Sequence, residues 1–173
     1  MNPNQVKYSV LAGVALVAGA VVLQLPERAI ATPQSPGWVT EKPMTKASFD
    51  RIRIKSGNDD KGGNLVRIIA VDPSDVYMVK NTVDPGAESG WHSHPGPSLV
   101  IVQSGAATVY EGDDPTCTGV TYPAGTAFVD SGGRHVHLVR NESATQELVT
   151  VAFQIIPLGA ARRIDAPKPD QCP

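Results

Sequence analysis

An all-β fold, an antiparallel sandwich or barrel, is predicted by this 173-residue sequence, and three observations lead there. Short runs rich in β-branched and aromatic residues recur about every 8 to 12 positions. Sixteen glycines and fifteen prolines are spread between them as PG, PAG, GG and DPG punctuation rather than as a low-complexity tract, which is how many short strands are joined by turns. Beyond about residue 30, no stretch repeats apolar residues with a helical period.

The elements follow in order. Between Lys7 and Glu27 no residue is charged, so YSVLAGVALVAGAVVLQL is expected to be a signal-peptide core or a membrane span and not part of the fold. Pro26, Glu27 and Arg28 break the run, and Ala29-Ile30-Ala31 has the small-x-small pattern of a cleavage site, with cleavage expected after Ala31. Residues 1–31 are thus a signal peptide, or an anchor through residues 8–25 if uncleaved. The chain is expected to be secreted or extracytoplasmic, touching a membrane only there. Residues 32–47, proline-punctuated and polar, are expected as an extended linker or a strand lying across an edge. The barrel is expected over 48–157. It begins with the alternating Phe49 to Ile54, continues through Leu65–Val71 and Val76–Val79, and passes the loop DPGAESG to a strand over Leu99–Gln103. Ser104-Gly105 turns the chain back through Ala107–Tyr110, and GDDPT is a hairpin turn. Thr118–Tyr122, Thr126–Val129, Val136–Arg140 and Leu148–Ile156 make the total nine or ten strands. Residues 158–173 are expected as an irregular tail.

Charged residues make up 18% of the chain and the net charge is -2, which leaves no basic surface to draw nucleic acid or anionic lipid. The partner expected is a small molecule. In an oxidising compartment the only two cysteines, Cys117 and Cys172, are expected to form one disulfide that ties the tail to the barrel. No CxxC pair, phosphate-binding glycine loop or nucleophile elbow is present.

All four histidines fall into two His-x-His pairs, His92/His94 and His135/His137. On a strand, residues i and i+2 share a face about 6.5 to 7 Å apart, so each pair can aim two imidazoles at one point. Imidazole nitrogens about 2.0 to 2.2 Å from a divalent ion, contributed by two neighbouring strands, make an open metal site. Imidazole suits iron, manganese, nickel, zinc and copper alike.

Gly86-x5-His92-x-His94-x3-Ser98-x6-Gly105 resembles the first signature of the cupins, in which a glutamate stands where this chain has Ser98. The second cupin signature is matched by Pro123-Ala124-Gly125 and by His137-x3-Asn141, stretched by an insertion containing DSGGR and with Cys117 at its leading glycine position. The resemblance spans about Val71 to Pro157. It implies a jelly-roll barrel, with His92, His94 and His137 as ligands of a divalent metal. The missing glutamate leaves a fourth position to His135 or to water, and a site of neutral ligands would keep the ion's full charge and favour oxyanion ligands. The family also implies a homodimer through Thr45–Ser56, where an exposed sheet edge would need covering. Three functions stay open: a metal-dependent enzyme of the dioxygenase or isomerase kind, a barrel that binds a metal or small ligand without turnover, and a metal-free structural barrel. Glu88, Arg134 and Arg140 are the side chains nearest in sequence that could reach the site, and solvated or surface-paired roles are expected for all three. Trp91, Tyr110 and Phe128 are expected to pack rather than to line a pocket.

Overall fold

The computed structural model describes residues 30–42, 44–57 and 65–172. The apolar leader between Lys7 and Glu27 lies outside them. Among the described residues there is no helix, and thirteen strands form: β1 (Trp38–Thr40), β2 (Thr45–Phe49), β3 (Ile52–Ser56), β4 (Val66–Ala70), β5 (Ser74–Val83), β6 (His92–Ser93), β7 (Ser98–Ser104), β8 (Ala106–Glu111), β9 (Val120–Pro123), β10 (Ala127–Asp130), β11 (His137–Arg140), β12 (Leu148–Pro157) and β13 (Ile164–Asp165).

Two antiparallel sheets face each other as a jelly-roll barrel. One runs β1-β5-β12-β7-β10, with β2 also on β5; the other runs β13-β6-β11-β8-β9. Alternation decides what faces inward. On β7, Ser98, Val100 and Val102 are buried while Leu99, Ile101 and Gln103 are exposed. The core takes Val79, Val100, Val102, Phe128, Leu148 and Ala152 from the first sheet and Ala107, Val109 and Val139 from the second. Phe128 packs in the core, as expected, but against the expectation it also lines a pocket.

The second sheet is covered on its outer face too. Trp91, Leu138, Cys117, Ala166 and Cys172 cluster there, with Tyr110 and Val136 against them. Cys117 and Cys172 form the expected disulfide, with Cα atoms 5.3 Å apart. The tail is not wholly irregular, because β13 pairs with β6. A two-residue strand carries no readable period, and its order comes from the disulfide and the pairing.

The segment at residues 38–49 lies across the edge of β5 as two strands, with Trp38–Thr40 opposite Asn81–Val83 and Thr45–Phe49 opposite Ser74–Met78. Buried Asp75 locks it: its carboxylate accepts from Lys46 Nζ at 2.7 Å, Ser48 Oγ at 2.6 Å and Gly159 N–H at 3.0 Å. The Lys46 bond first, then the other two, holds the Asp75 pKa down to about 2. The expected strand over Phe49–Ile54 is broken at Asp50-Arg51, and β3 leaves to pair with β4. Both halves of the segment Thr45–Ser56 are therefore paired within the chain.

Candidate metal centre

His92 on β6 sits directly opposite His137 on β11, and His94 follows two residues on. All three are buried, at 5%, 6% and 3% exposure. Their ring centroids lie 4.8 Å (His92–His94), 4.3 Å (His92–His137) and 5.6 Å (His94–His137) apart. One nitrogen from each falls within 4.8 Å of the others, close to the roughly 3 to 4.2 Å between two ligand atoms of one ion.

The backbone fixes how the rings face. Gly90 adopts φ +65°, and a Cβ there would strike the carbonyl oxygens of Thr32 and Pro33, so only glycine fits this turn. Its carbonyl accepts from His92 Nδ1 at 2.9 Å, and the Arg162 carbonyl accepts from His94 Nδ1 at 2.5 Å. A carbonyl only accepts, so both rings carry their proton on Nδ1 and leave Nε2 bare. Burial holds His92 far below the usual imidazole range, lowers His94, and brings His137 down to about 4. Neutral imidazole is the form that ligates a metal. His137 Nδ1 is buried with no hydrogen-bond partner, a group that an ion or ligand would account for.

These pKa values carry a stability prediction. Unfolded imidazoles take up protons near pH 6.5 and the buried ones resist until lower pH, so the unfolded state binds more protons in between. The metal-free protein should lose stability as pH falls from about 6.5 toward 4, by about 2 kcal/mol at pH 5 from His137 alone. Urea midpoints at pH 7 and pH 5 check it; equal midpoints would contradict the buried neutral rings.

The carboxylate absent from β7 stands on the next strand. In register, Gln154 of β12, Ser98 of β7 and Asp130 of β10 form one row across the first sheet. Gln154 Nε2 donates to Ser98 Oγ at 2.8 Å, and Ser98 Oγ donates to Asp130 Oδ2 at 3.3 Å. Asp130, 3% exposed, lies 3.9 Å from His94 Nε2 and 3.8 Å from His137 Nδ1. A buried carboxylate therefore stands beside the three imidazoles, a neighbour the sequence pattern did not point to. Sequence reasoning passed over Asp130 because Asp-Ser-Gly-Gly reads as a turn. Its signal was parity with Phe128 on the same short strand.

A swap tests this placement. Asp130→Ser should weaken metal binding by at least about 10- to 100-fold. Ser98→Glu alone should lower the melting temperature, because a second buried carboxylate would face Asp130. The double variant Ser98→Glu/Asp130→Ser should regain metal binding, measured by equilibrium dialysis.

Of the four histidines expected together, three meet. His135 lies in the turn before β11, where strand alternation does not apply. It sits between Glu111 (Nε2 to Oε2, 2.9 Å) and Asp130 (Nδ1 to Oδ1, 3.4 Å) and groups with Asp130 and His137, not with His92 and His94. Arg140 lies near Glu88 and Glu142 at 4.0 and 3.6 Å, Arg134 is exposed, and Tyr110 donates to Glu142. None of these side chains lines the histidine cavity.

That cavity holds about 50 Å³ and is walled by the three histidines, Asp130 and, from the tail, Arg162 and Arg163. Arg162 Nη1 donates to Gln154 Oε1 at 3.1 Å. Nothing in the tail's sequence pattern placed these arginines here.

A family model described as cupin domain matches residues 80–153, the stretch that carries His92, His94, Asp130 and His137. The match assigns a cupin domain to residues 80–153 of the chain. No curated protein matches the chain. Among solved structures it is similar to an uncharacterized conserved protein with a double-stranded β-helix domain from Klebsiella pneumoniae (21% identity, 69% of this chain and 86% of that chain covered, TM-score 0.45). It is also similar to a cupin superfamily protein from Desulfitobacterium hafniense (11%, 65% and 78%, TM-score 0.41) and to a cupin-like protein from Thermotoga maritima (22%, 54% and 65%, TM-score 0.45).

Proposed function

We propose that this chain is an exported protein that holds one divalent transition metal on His92, His94 and His137, with Asp130 beside them, and binds a small oxygen-rich molecule at the remaining coordination positions. Three buried, neutral imidazoles converging on one point carry this assignment. A bound metal supplies Lewis-acid polarisation of a ligand oxygen, or redox chemistry if it is iron, manganese or copper. The chain's own residues do the rest. The Gly90 and Arg162 carbonyls hold two rings in register, Asp130 offsets part of the ion's charge, and the Ser98–Gln154 relay orients Asp130. Val100, Phe128 and Val139 wall the cavity with apolar surface, which strengthens every polar contact inside. A cavity this small favours, as a second function, holding the ligand without turnover.

The test is the visible spectrum of the cobalt(II)- or copper(II)-loaded protein on titration with catechol. Ligand-dependent band shifts are expected, and an unchanged spectrum would overturn the assignment. Recovery of the catechol unaltered would select binding over catalysis. Export is supported by the leader over residues 1–31 and by the Cys117–Cys172 pair, since such bonds persist in oxidising compartments. Mass spectrometry of the protein from the extracytoplasmic fraction should find a chain beginning at Thr32.

A further inference from the structure

Buried polar atoms are rarely left without a hydrogen bond, and among the described residues four side-chain atoms are: Trp38 Nε1, Glu111 Oε2, which has the His135 ring beside it, His137 Nδ1 and Arg163 Nη2. Trp38, His137 and Arg163 line the same cavity. His137 is a metal-ligand candidate. The remaining two are donors that cannot accept, one of them on a cation. Each buried donor without a partner costs about 1 to 3 kcal/mol, so a pair of them in one small chamber calls for an acceptor that enters from outside.

The charges say the same. Arg163 Nε is engaged outward, with Asp165 at 2.6 Å, and Arg162 spends one nitrogen on neutral Gln154. The inner wall then has two guanidinium groups facing three neutral imidazoles and one carboxylate, Asp130. A divalent ion would make the excess of positive charge larger. The cavity has room for about three or four water-sized groups, which fits one carboxylate and little more.

We propose that Arg163, assisted by Trp38 Nε1–H, binds the carboxylate of a short-chain organic acid, so that the oxygen-rich ligand of this protein is a small anion selected by its C-terminal tail. This rests on the metal site above for the ligand's second contact, but the guanidinium and indole donors are present with or without the metal. The neighbourhood of Arg163 explains why the tail is part of the site. β13 pairs with β6 so that Asp165 lies opposite His92, and the same tail delivers the Arg162 carbonyl to His94.

Line broadening of the acetate and acetamide methyl resonances, in the presence of zinc-loaded and of metal-free protein, tests it. Acetate is expected to bind, and acetamide, of the same shape without the charge, at least tenfold more weakly. Arg163→Met should lower acetate affinity about tenfold or more while the metal content and melting temperature stay at the parent's. Trp38→Phe, which removes a donor without changing charge, should lower it several-fold and decides the matter if Arg163→Met does not fold. Acetate binding unaffected by Arg163→Met, or equal binding of acetate and acetamide, overturns the inference. A parent that holds no metal, yet binds acetate in an Arg163-dependent way, keeps this inference and removes the metal assignment alone.

Discussion

With His92 and His94 both changed to alanine, the chain from Thr32 onward, purified without a histidine tag, is expected to hold no transition metal where the parent holds about one equivalent. The two substitutions remove two of the three buried nitrogens that converge, leaving His137 with Asp130 and the half-buried His135, so any metal the variant keeps would mark that second group as the site. The variant should still fold. The lost rings are neutral and each gives up one hydrogen bond, to Gly90 and to Arg162, for a combined cost of about 1 to 3 kcal/mol in the metal-free state. Metal and fold are therefore separable by linkage. Adding metal at about a thousand times its dissociation constant should stabilise the parent by about 4 kcal/mol and the variant not at all. Elemental analysis beside thermal unfolding reads both quantities. Equal metal content in parent and variant would move the site elsewhere. No metal in either, after incubation with iron, manganese, nickel, zinc and copper in turn, would leave a metal-free barrel.

The residues that were legible in the sequence and those that were not differ in a physical way. β5, β7, β8 and β12 are long enough for period-two alternation to show, and their β-branched residues fill the core. β1, β6 and β13, of two or three residues, are held by pairing partners far along the chain, and no local pattern marks them. The pair His92/His94 was legible because spacing alone brings these side chains together. His135/His137 shares that spacing, but His135 precedes the strand and turns toward Glu111. Asp130 was out of reach for another reason. Its nearness to Ser98 depends on the registers of β7 with β10 and β12 at once, and register is a property of the assembled sheet. The same holds for Arg163, which reaches the cavity only because the tail folds back over the second sheet.

Breaking the Cys117–Cys172 bond by Cys172→Ser, or by reduction of the parent, should cost about 4 kcal/mol of stability, because the bond closes a loop across a sequence separation of 55. The loss should exceed that of a surface substitution several-fold, since most of those stay within about 0.5 kcal/mol. Its second effect should be local to the metal centre. Released at Cys172, the tail keeps the two-residue pairing of β13 with β6, the bridge of Pro167 to Ala31, the contacts of Trp91 and Leu138, and single hydrogen bonds such as Gln171 Nε2 to the Gly112 carbonyl and Arg162 to Gln154. Fraying there withdraws the carbonyl that holds His94 and the two arginines that wall the cavity. Reduced protein should therefore bind metal more weakly, by about 10- to 100-fold if the Arg162 carbonyl acts as an orienting partner of His94. Acetate binding should fall with it, while the melting of the barrel remains a single transition at lower temperature. Urea unfolding with and without reductant, alongside metal dialysis on the same samples, separates the two effects. Metal affinity unchanged in fully reduced protein would show that β13 holds the tail in place without the covalent bond, and would confine the disulfide's role to the unfolded chain.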